Sequence, residues 1–205
     1  KFNLILDIDE TIVKTIVPSN NNLLLLDDEN VKQISIFNKK YLVFLRPKLS
    51  TFIEFCFTNF NVGFWTAGSP IYCNIILKMI LSEEQYNNCN IVLARDDQDY
   101  INLKTNKIYQ NITKTNVIRK PLELLWEDDI FKYIFNQSNT IIIDDNPNVK
   151  SENPNNCILI KQFKKDAFDD DVLEKLIIFL FKFINNEDAD IRIILEMNSC
   201  YNQLV

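Results

Sequence analysis

The chain has no histidine. This excludes a histidine-based catalytic triad, a histidine phosphocarrier and histidine-ligated zinc together, so acid–base chemistry has to come from carboxylates. Five cysteines, Cys56, Cys73, Cys89, Cys157 and Cys200, show no Cys-x-x-Cys spacing and are odd in number. They read as reduced, mostly buried thiols of an intracellular protein. Basic residues are outnumbered, 22 to 28, for a net charge of -6 and a pI near 4.8. A nucleic-acid backbone needs a basic surface, so no direct nucleic-acid partner is expected. Long apolar runs are missing too. The longest, Leu176 to Ile184, is broken by Lys182 and is about half the length that spans a bilayer. The opening run is too short for a secretory signal, and no membrane anchor is expected. Lys1 in place of Met leaves room for upstream residues. Only two glycines, beside frequent Asn, Ile, Lys and Phe, point to an AT-rich coding genome and bear little on function.

What is present is ordinary globular composition: 205 residues, 47% hydrophobic and 24% charged, enough for one sizeable core and one domain over residues 1–205. Strand-like and helix-like periods alternate, the pattern of an α/β protein with a parallel sheet. A core strand is expected over Phe2 to Ile8. A small antiparallel flap follows at about 12–45, with segments at Leu23 to Leu26, Ile34 to Phe37 and Tyr41 to Leu45. A helix from Leu49 to Phe60 leads to a strand from Asn61 to Thr66. Ser69 and Pro70 cap and open a helix to about Leu81. A strand at Asn90 to Ala94 is followed by a polar excursion, about 96–119, read as a hairpin or irregular segment. A helix over Leu122 to Phe135, strands at Thr140 to Ile143 and Cys157 to Ile160, and helices over Asp169 to Ile184 and Asp190 to Met197 complete the chain.

Three of these strands end in chemistry. The first runs into Asp7, Ile8, Asp9, Glu10 and Thr11. Strand periodicity puts Asp7 and Asp9 on one side, about 7 Å apart, where a divalent cation with a phosphate would offset their repulsion. On its own this pattern also fits solvated acids after a core strand. The second strand ends at Thr66, and the apolar strand from Thr140 ends at Asp144 and Asp145. In parallel α/β sheets ligands bind beyond the carboxyl ends of the strands, so these residues are expected to converge.

The segments Leu6-Asp7-Ile8-Asp9-Glu10-Thr11-Ile12-Val13, Leu45-Arg46-Pro47, Phe64-Trp65-Thr66-Ala67-Gly68, Lys120-Pro121-Leu122 and Ile143-Asp144-Asp145-Asn146-Pro147, in this order, resemble the haloacid-dehalogenase-type phosphatases. Within them, the chain is similar to the small carboxy-terminal-domain phosphatases that act on RNA polymerase II. The resemblance implies a Rossmann-like fold with a central parallel sheet, a small flap and no large cap domain. It also implies a magnesium-dependent serine/threonine protein phosphatase working through an aspartyl-phosphate, in the nucleus or cytoplasm. In that reading Asp7 is the nucleophile and Asp9 the general acid and base. Thr66 and Lys120 bind the phosphate. Asp7, the Asp9 backbone carbonyl and Asp145 hold Mg2+. Thr11, Asp144 and Arg95 are supporting residues. Where many small relatives have Asp-Asn, this chain has Asp144-Asp145, and Pro121 stands where relatives often have Asp. Arg119, Lys114 and Lys107 are neighbours able to take the place of Lys120.

A second phosphatase signal is the five-residue gap between Cys89 and Arg95, the spacing of cysteine-dependent phosphatases. The intervening Asn90 to Ala94 reads as an extended core strand without glycine, unlike a phosphate-cradling loop, and the spacing is taken as coincidence. Without a large cap the site is expected to admit a polypeptide, and the resemblance implies a phosphorylated one, with the RNA polymerase II tail as leading substrate. Phe37, Tyr41, Phe44, Tyr100 and Tyr109 fit either a peptide groove or the core. The alternatives are a catalytically silent peptide-binding scaffold and a phosphatase of small phosphoesters or nucleic-acid ends.

Overall fold

The computed structural model describes residues 1–19, 28–110, 118–167, 169–186 and 188–198. A seven-stranded sheet forms its centre: β1 (Asn3–Leu6), β5 (Asn61–Trp65), β6 (Val92–Asp96), β7 (Asp99–Asn102), β8 (Ile108–Tyr109), β9 (Thr140–Asp144) and β10 (Cys157–Leu159), in the order β10-β9-β1-β5-β6-β7-β8. The five strands from β10 to β6 are parallel, and β7 and β8 add an antiparallel edge. This is the α/β architecture with a central, mostly parallel sheet expected from the sequence. The excursion after β6 takes the hairpin form among its described residues.

β1 shows why the sheet is covered on both faces. Leu4 and Leu6 enter one apolar cluster and Ile5 enters another, as period-two alternation requires. The first cluster is built with α1 (Leu49–Asn59), α2 (Pro70–Ile80), α6 (Val172–Ile184) and α7 (Ile191–Met197). In α6 the buried set Val172, Leu173, Leu176, Phe179, Leu180 and Phe183 follows helical spacing. The opposite face is covered by α4 (Glu123–Trp126), a single 3-10 turn at Phe131–Tyr133 and α5 (Pro147–Glu152), through Leu125, Phe131 and Val149. A short α3 (Glu83–Asn88) leads into β6.

The flap is a separate antiparallel sheet of β2 (Val13–Ile16), β4 (Lys39–Leu45) and β3 (Val31–Ile36), in that order. Its expected segment at Leu23 to Leu26 lies outside the described residues. Two expectations are corrected. The helix read over Leu122 to Phe135 is broken, because Asp128 Oδ1 accepts from the Ile130 and Phe131 N–H groups at 2.9 and 3.1 Å and so opens a new turn in mid-segment. The first strand ends at Leu6, short of both acids, because Ile8 C=O accepts from the Ile12 and Val13 N–H groups and turns the chain. Asp7 and Asp9 thus share a side through a turn and not through the pleat. Glu10 occupies the left-handed region at φ 59° within it.

Both glycines are placed by space. Neither has positive φ, and at Gly63 in β5 a Cβ would stand 2.6 Å from Ile91 Cγ2 of the adjacent chain segment.

Candidate active site

β9, β1 and β5 are neighbours at the centre of the sheet, and their carboxyl ends carry the site. The β1 end is held in register by the Asp7 N–H, which donates to Ile143 C=O at 3.0 Å. The Thr66 N–H does the same at the end of β5, donating to Leu93 C=O at 2.9 Å. A cavity of about 530 Å³ opens beyond these ends, lined by Asp7, Asp9, Glu10, Lys120, Asp144 and Asp145 together with Ala67, Ile118, Asn146, Pro147 and Gln162.

Lys120 is the centre of charge. Its Nζ donates to Asp7 Oδ1 at 2.5 Å and to Asp144 Oδ2 at 2.7 Å, and all three side chains are buried. Asn153 holds the lysine's backbone: its Nδ2 donates to Lys120 C=O at 2.9 Å and its Oδ1 accepts from Leu122 N–H at 2.9 Å. Burial alone would lower the Lys120 pKa, but the two carboxylates outweigh it and push it up. Burial raises Asp7, with Asp144 and Asp9 adding and Lys120 opposing. Burial also raises Asp145 to about 6, helped by Asp144 and Glu10. The cluster thus holds its ammonium firmly and contains more carboxylate than one ammonium neutralises.

That excess has a geometry suited to a cation. One carboxylate oxygen from each of Asp7, Asp144 and Asp145 lies within 4.8 Å of the others, an all-oxygen donor set of the hard kind that Mg2+ takes. Thr11 Oγ1 donates to Asp145 Oδ1 at 3.2 Å, and Asp144 Oδ1 accepts from Asn146 N–H at 2.8 Å. Asn146 in turn caps α5 ahead of Pro147. The residues present fit magnesium.

Asp9 stands beside this cluster with both oxygens engaged. Thr66 Oγ1 donates to its Oδ2 at 3.1 Å, and the Tyr72 hydroxyl donates to its Oδ1. Thr66 Oγ1 also accepts from Gly68 N–H at 2.9 Å. Burial raises the Asp9 pKa, opposed by Tyr72. Asp7, Asp9, Thr66, Lys120, Asp144, Asp145 and Thr11 are thereby brought together. Arg95 is not among the residues lining the cavity; its Nε donates to Asp97 C=O at 2.7 Å. Of the basic neighbours, Lys107 pairs with Asp128 and Arg119 with Glu152, while Lys114 lies outside the described residues. Phe44, Tyr100 and Tyr109 are core, whereas Phe37 is 80% exposed.

Cys89 is buried, its Sγ donates to Gln85 C=O at 3.3 Å, and burial pushes its thiol up to about 12. With β6 starting at Val92, the segment to Arg95 is a strand and not a phosphate loop, and the thiol lacks the lowered pKa of a nucleophile. Sequence reasoning missed Tyr72 and Asn153. Tyr72 has only its place in the first turn after the Ser69-Pro70 cap as a signal, and Asn153 has none.

Comparison with known proteins bears on the family and the fold. The family model described as NLI interacting factor-like phosphatase matches residues 2–192. A CTD phosphatase-like protein of Invertebrate iridescent virus 6 is 32% identical over 165 residues, covering 78% of this chain and 85% of the relative. An FCP1 homology domain-containing protein of Schizosaccharomyces pombe is 28% identical over 123 residues, 58% of this chain and 48% of the relative. The structure of Fcp1, an essential RNA polymerase II CTD phosphatase, superposes with a TM-score of 0.56 at 19% identity, covering 98% of this chain and 53% of Fcp1. The chain therefore spans about half the length of these last two, and the Fcp1 likeness concerns the fold. A family match from residue 2 to residue 192 leaves little of the chain outside it, and the chain belongs to the NLI interacting factor-like phosphatases, the FCP/SCP type of the haloacid dehalogenase superfamily.

Proposed function

We propose that the chain acts as one catalytic unit, a magnesium-dependent phosphoserine/phosphothreonine protein phosphatase that works through an aspartyl-phosphate on Asp7. The observation that carries this reading is the buried Lys120 ammonium bridging Asp7 and Asp144 at the floor of an open cavity, with Asp9 alongside. In the first step an Asp7 carboxylate oxygen bonds to phosphorus while the bond from phosphorus to the seryl or threonyl oxygen breaks. The electron pair stays on that oxygen, which takes the proton of Asp9. In the second, Asp9 accepts a proton from water, the water oxygen bonds to phosphorus, and the Asp7–phosphorus bond breaks to release phosphate. Lys120 and the Thr66 hydroxyl stabilise charge on the phosphoryl oxygens. Mg2+ held by Asp7, the Asp9 backbone carbonyl and Asp145 would neutralise part of that charge when bound. The relatives' names, CTD phosphatase-like and RNA polymerase II CTD phosphatase, support a phosphorylated polypeptide as substrate, the RNA polymerase II carboxy-terminal domain or a similar phosphopeptide. An intracellular site of action goes with that substrate.

Replacing Asp7 with Asn is expected to abolish phosphopeptide turnover while the fold is kept, and Cys89→Ser is expected to leave turnover intact. Beryllofluoride with Mg2+ should raise the melting temperature of the wild type by mass action on the native state, and the shift should vanish in Asp145→Ala. Turnover surviving in Asp7→Asn, or lost in Cys89→Ser, would overturn the mechanism.

A further inference from the structure

The chain has two glycines, and one of them faces the site. A Cβ on Gly68 would stand 2.5 Å from Tyr72 Cδ1, 3.0 Å from Tyr72 Cε1 and 3.2 Å from Thr66 Oγ1. Since Gly68 does not have positive φ, what the glycine supplies is room for the Tyr72 ring. From that seat the Tyr72 hydroxyl reaches Asp9 Oδ1, and Thr15 Oγ1 of β2 lies 2.7 Å from the same hydroxyl. Tyr72 donates its single proton to Asp9 Oδ1, so the proton between Thr15 and Tyr72 comes from Thr15. The relay thus runs in one direction, from the flap through Tyr72 to Asp9. Thr66 also has one proton. It serves Asp9 in this structure and cannot serve a phosphoryl oxygen at the same time. When Thr66 turns to the phosphate, Tyr72 is the side-chain donor left on Asp9 among the described residues.

We infer that Tyr72, seated against Gly68 and backed by Thr15, is a positioning residue that fixes the Asp9 carboxyl for proton delivery to the leaving oxygen, an inference that rests on the phosphatase reading above. Each carboxyl oxygen has two lone pairs, so the bond from Tyr72 and the proton to be delivered use different ones. The step is the one already given: the oxygen–phosphorus bond to Asp7 forms, the bond to the leaving oxygen breaks, and the Asp9 proton moves to that oxygen. A carboxyl free to rotate would lose the geometric advantage of general acid catalysis.

The test is kcat/KM, which reports on the steps through departure of the leaving group, for phenyl phosphate and 4-nitrophenyl phosphate. The two esters share a shape and differ in how much the leaving oxygen needs a proton. In Tyr72→Phe the ratio of phenyl to 4-nitrophenyl phosphate is expected to fall about tenfold, with a similar fall in Gly68→Ala and a smaller one in Thr15→Val. The Tyr72→Phe/Gly68→Ala double variant should be no worse than Tyr72→Phe, because both changes remove one hydrogen bond. A general loss of packing or of phosphate binding would slow both esters alike and leave the ratio alone, so an unchanged ratio in Tyr72→Phe overturns the inference. Should Gly68→Ala fail to fold, Tyr72→Phe and Thr15→Val decide. Asp9→Asn separates this from the reading beneath it: if that variant keeps the wild-type ratio, Asp9 is not the acid and the mechanism itself fails.

Discussion

Lys120 sets how much carboxylate the site can hold. With its ammonium on Asp7 and Asp144, removing it strands two buried charges, and breaking a buried pair from one side typically costs about 3–5 kcal/mol. Lys120→Met is therefore expected to lower the melting temperature of the protein in EDTA, and Mg2+ should recover part of the loss by supplying the missing positive charge. Calorimetry with and without metal checks this. An unaltered melting temperature in EDTA would mean that the ammonium does not hold those carboxylates. At this scale the sequence was unevenly legible. Asp7, Thr66 and Asp144 stand at the ends of apolar strands, where period and topology announce them. Lys120 carries no such local mark and is legible only through its motif. Tyr72 sits on α2, and its hydroxyl meets Asp9 only because Gly68 lacks a side chain, a three-dimensional fact with no periodicity behind it.

Arg46 joins the flap to the rest of the fold. Fully buried, it donates from Nε and Nη2 to the two Asp170 oxygens at 2.8 and 2.9 Å, to Thr11 C=O at 2.8 Å and to Lys161 C=O at 2.9 Å, and it lies 5.4 Å from the Phe163 ring centre. A lysine cannot reproduce that planar fork, so Arg46→Lys is expected to destabilise the protein by about 2–3 kcal/mol, measured by urea unfolding; a change within error would mean the fork is dispensable. The β7–β8 hairpin has its own anchor in Asp128, which pairs with Lys107 and accepts from the Tyr109 hydroxyl at 3.0 Å. Burial opposes the shift, but Lys107 and the Ile130 and Phe131 amides prevail and hold the carboxyl at about 2. Because the folded value lies below the unfolded one, this stability is complete above about pH 4 and is lost as pH falls toward 2. It amounts to about 1–2 kcal/mol, discounted for the partly exposed Lys107. Asp128→Asn should therefore be less stable than wild type at pH 6, with the gap closing near pH 2. Elements with local punctuation were read well: Ser69 caps α2 and accepts from Tyr72 N–H, and Pro70 opens it. The helix α3 is hard to read although Ser82 and Gln85 form a capping box, because so short a signal passes for loop. The break at Asp128 was missed because the apolar pattern on either side keeps helical spacing while one carboxylate recaptures the backbone.

At the scale of the whole molecule, charge and topology act together. The central β1 is flanked by β9 and β5, so the chain departs in two directions from one point and opens the cavity there. Into it point five carboxylates and one ammonium among the described lining residues, on a chain of net charge -6. Such a surface repels small anions at long range and gives a free phosphoester little to hold beyond the reacting group. A polypeptide differs, because contacts remote from phosphorus can be spent on stabilising the transition state. The locally basic flap, with Lys32, Lys39 and Lys40 exposed and no acid from Val31 to Ile53, is suited to an anionic peptide on that side. Phosphopeptides with Ser-Pro repeats are therefore expected to be hydrolysed with kcat/KM at least about a hundredfold above that of a sugar phosphate or a nucleotide. Removing residues 20–26 should impair the peptide reaction more than hydrolysis of an aryl phosphate. If the deletion slows both equally, the flap supports the catalytic centre and does not select the peptide. If the small esters are preferred from the outset, the protein-phosphatase reading gives way to that of a small-phosphoester phosphatase with the same aspartate chemistry.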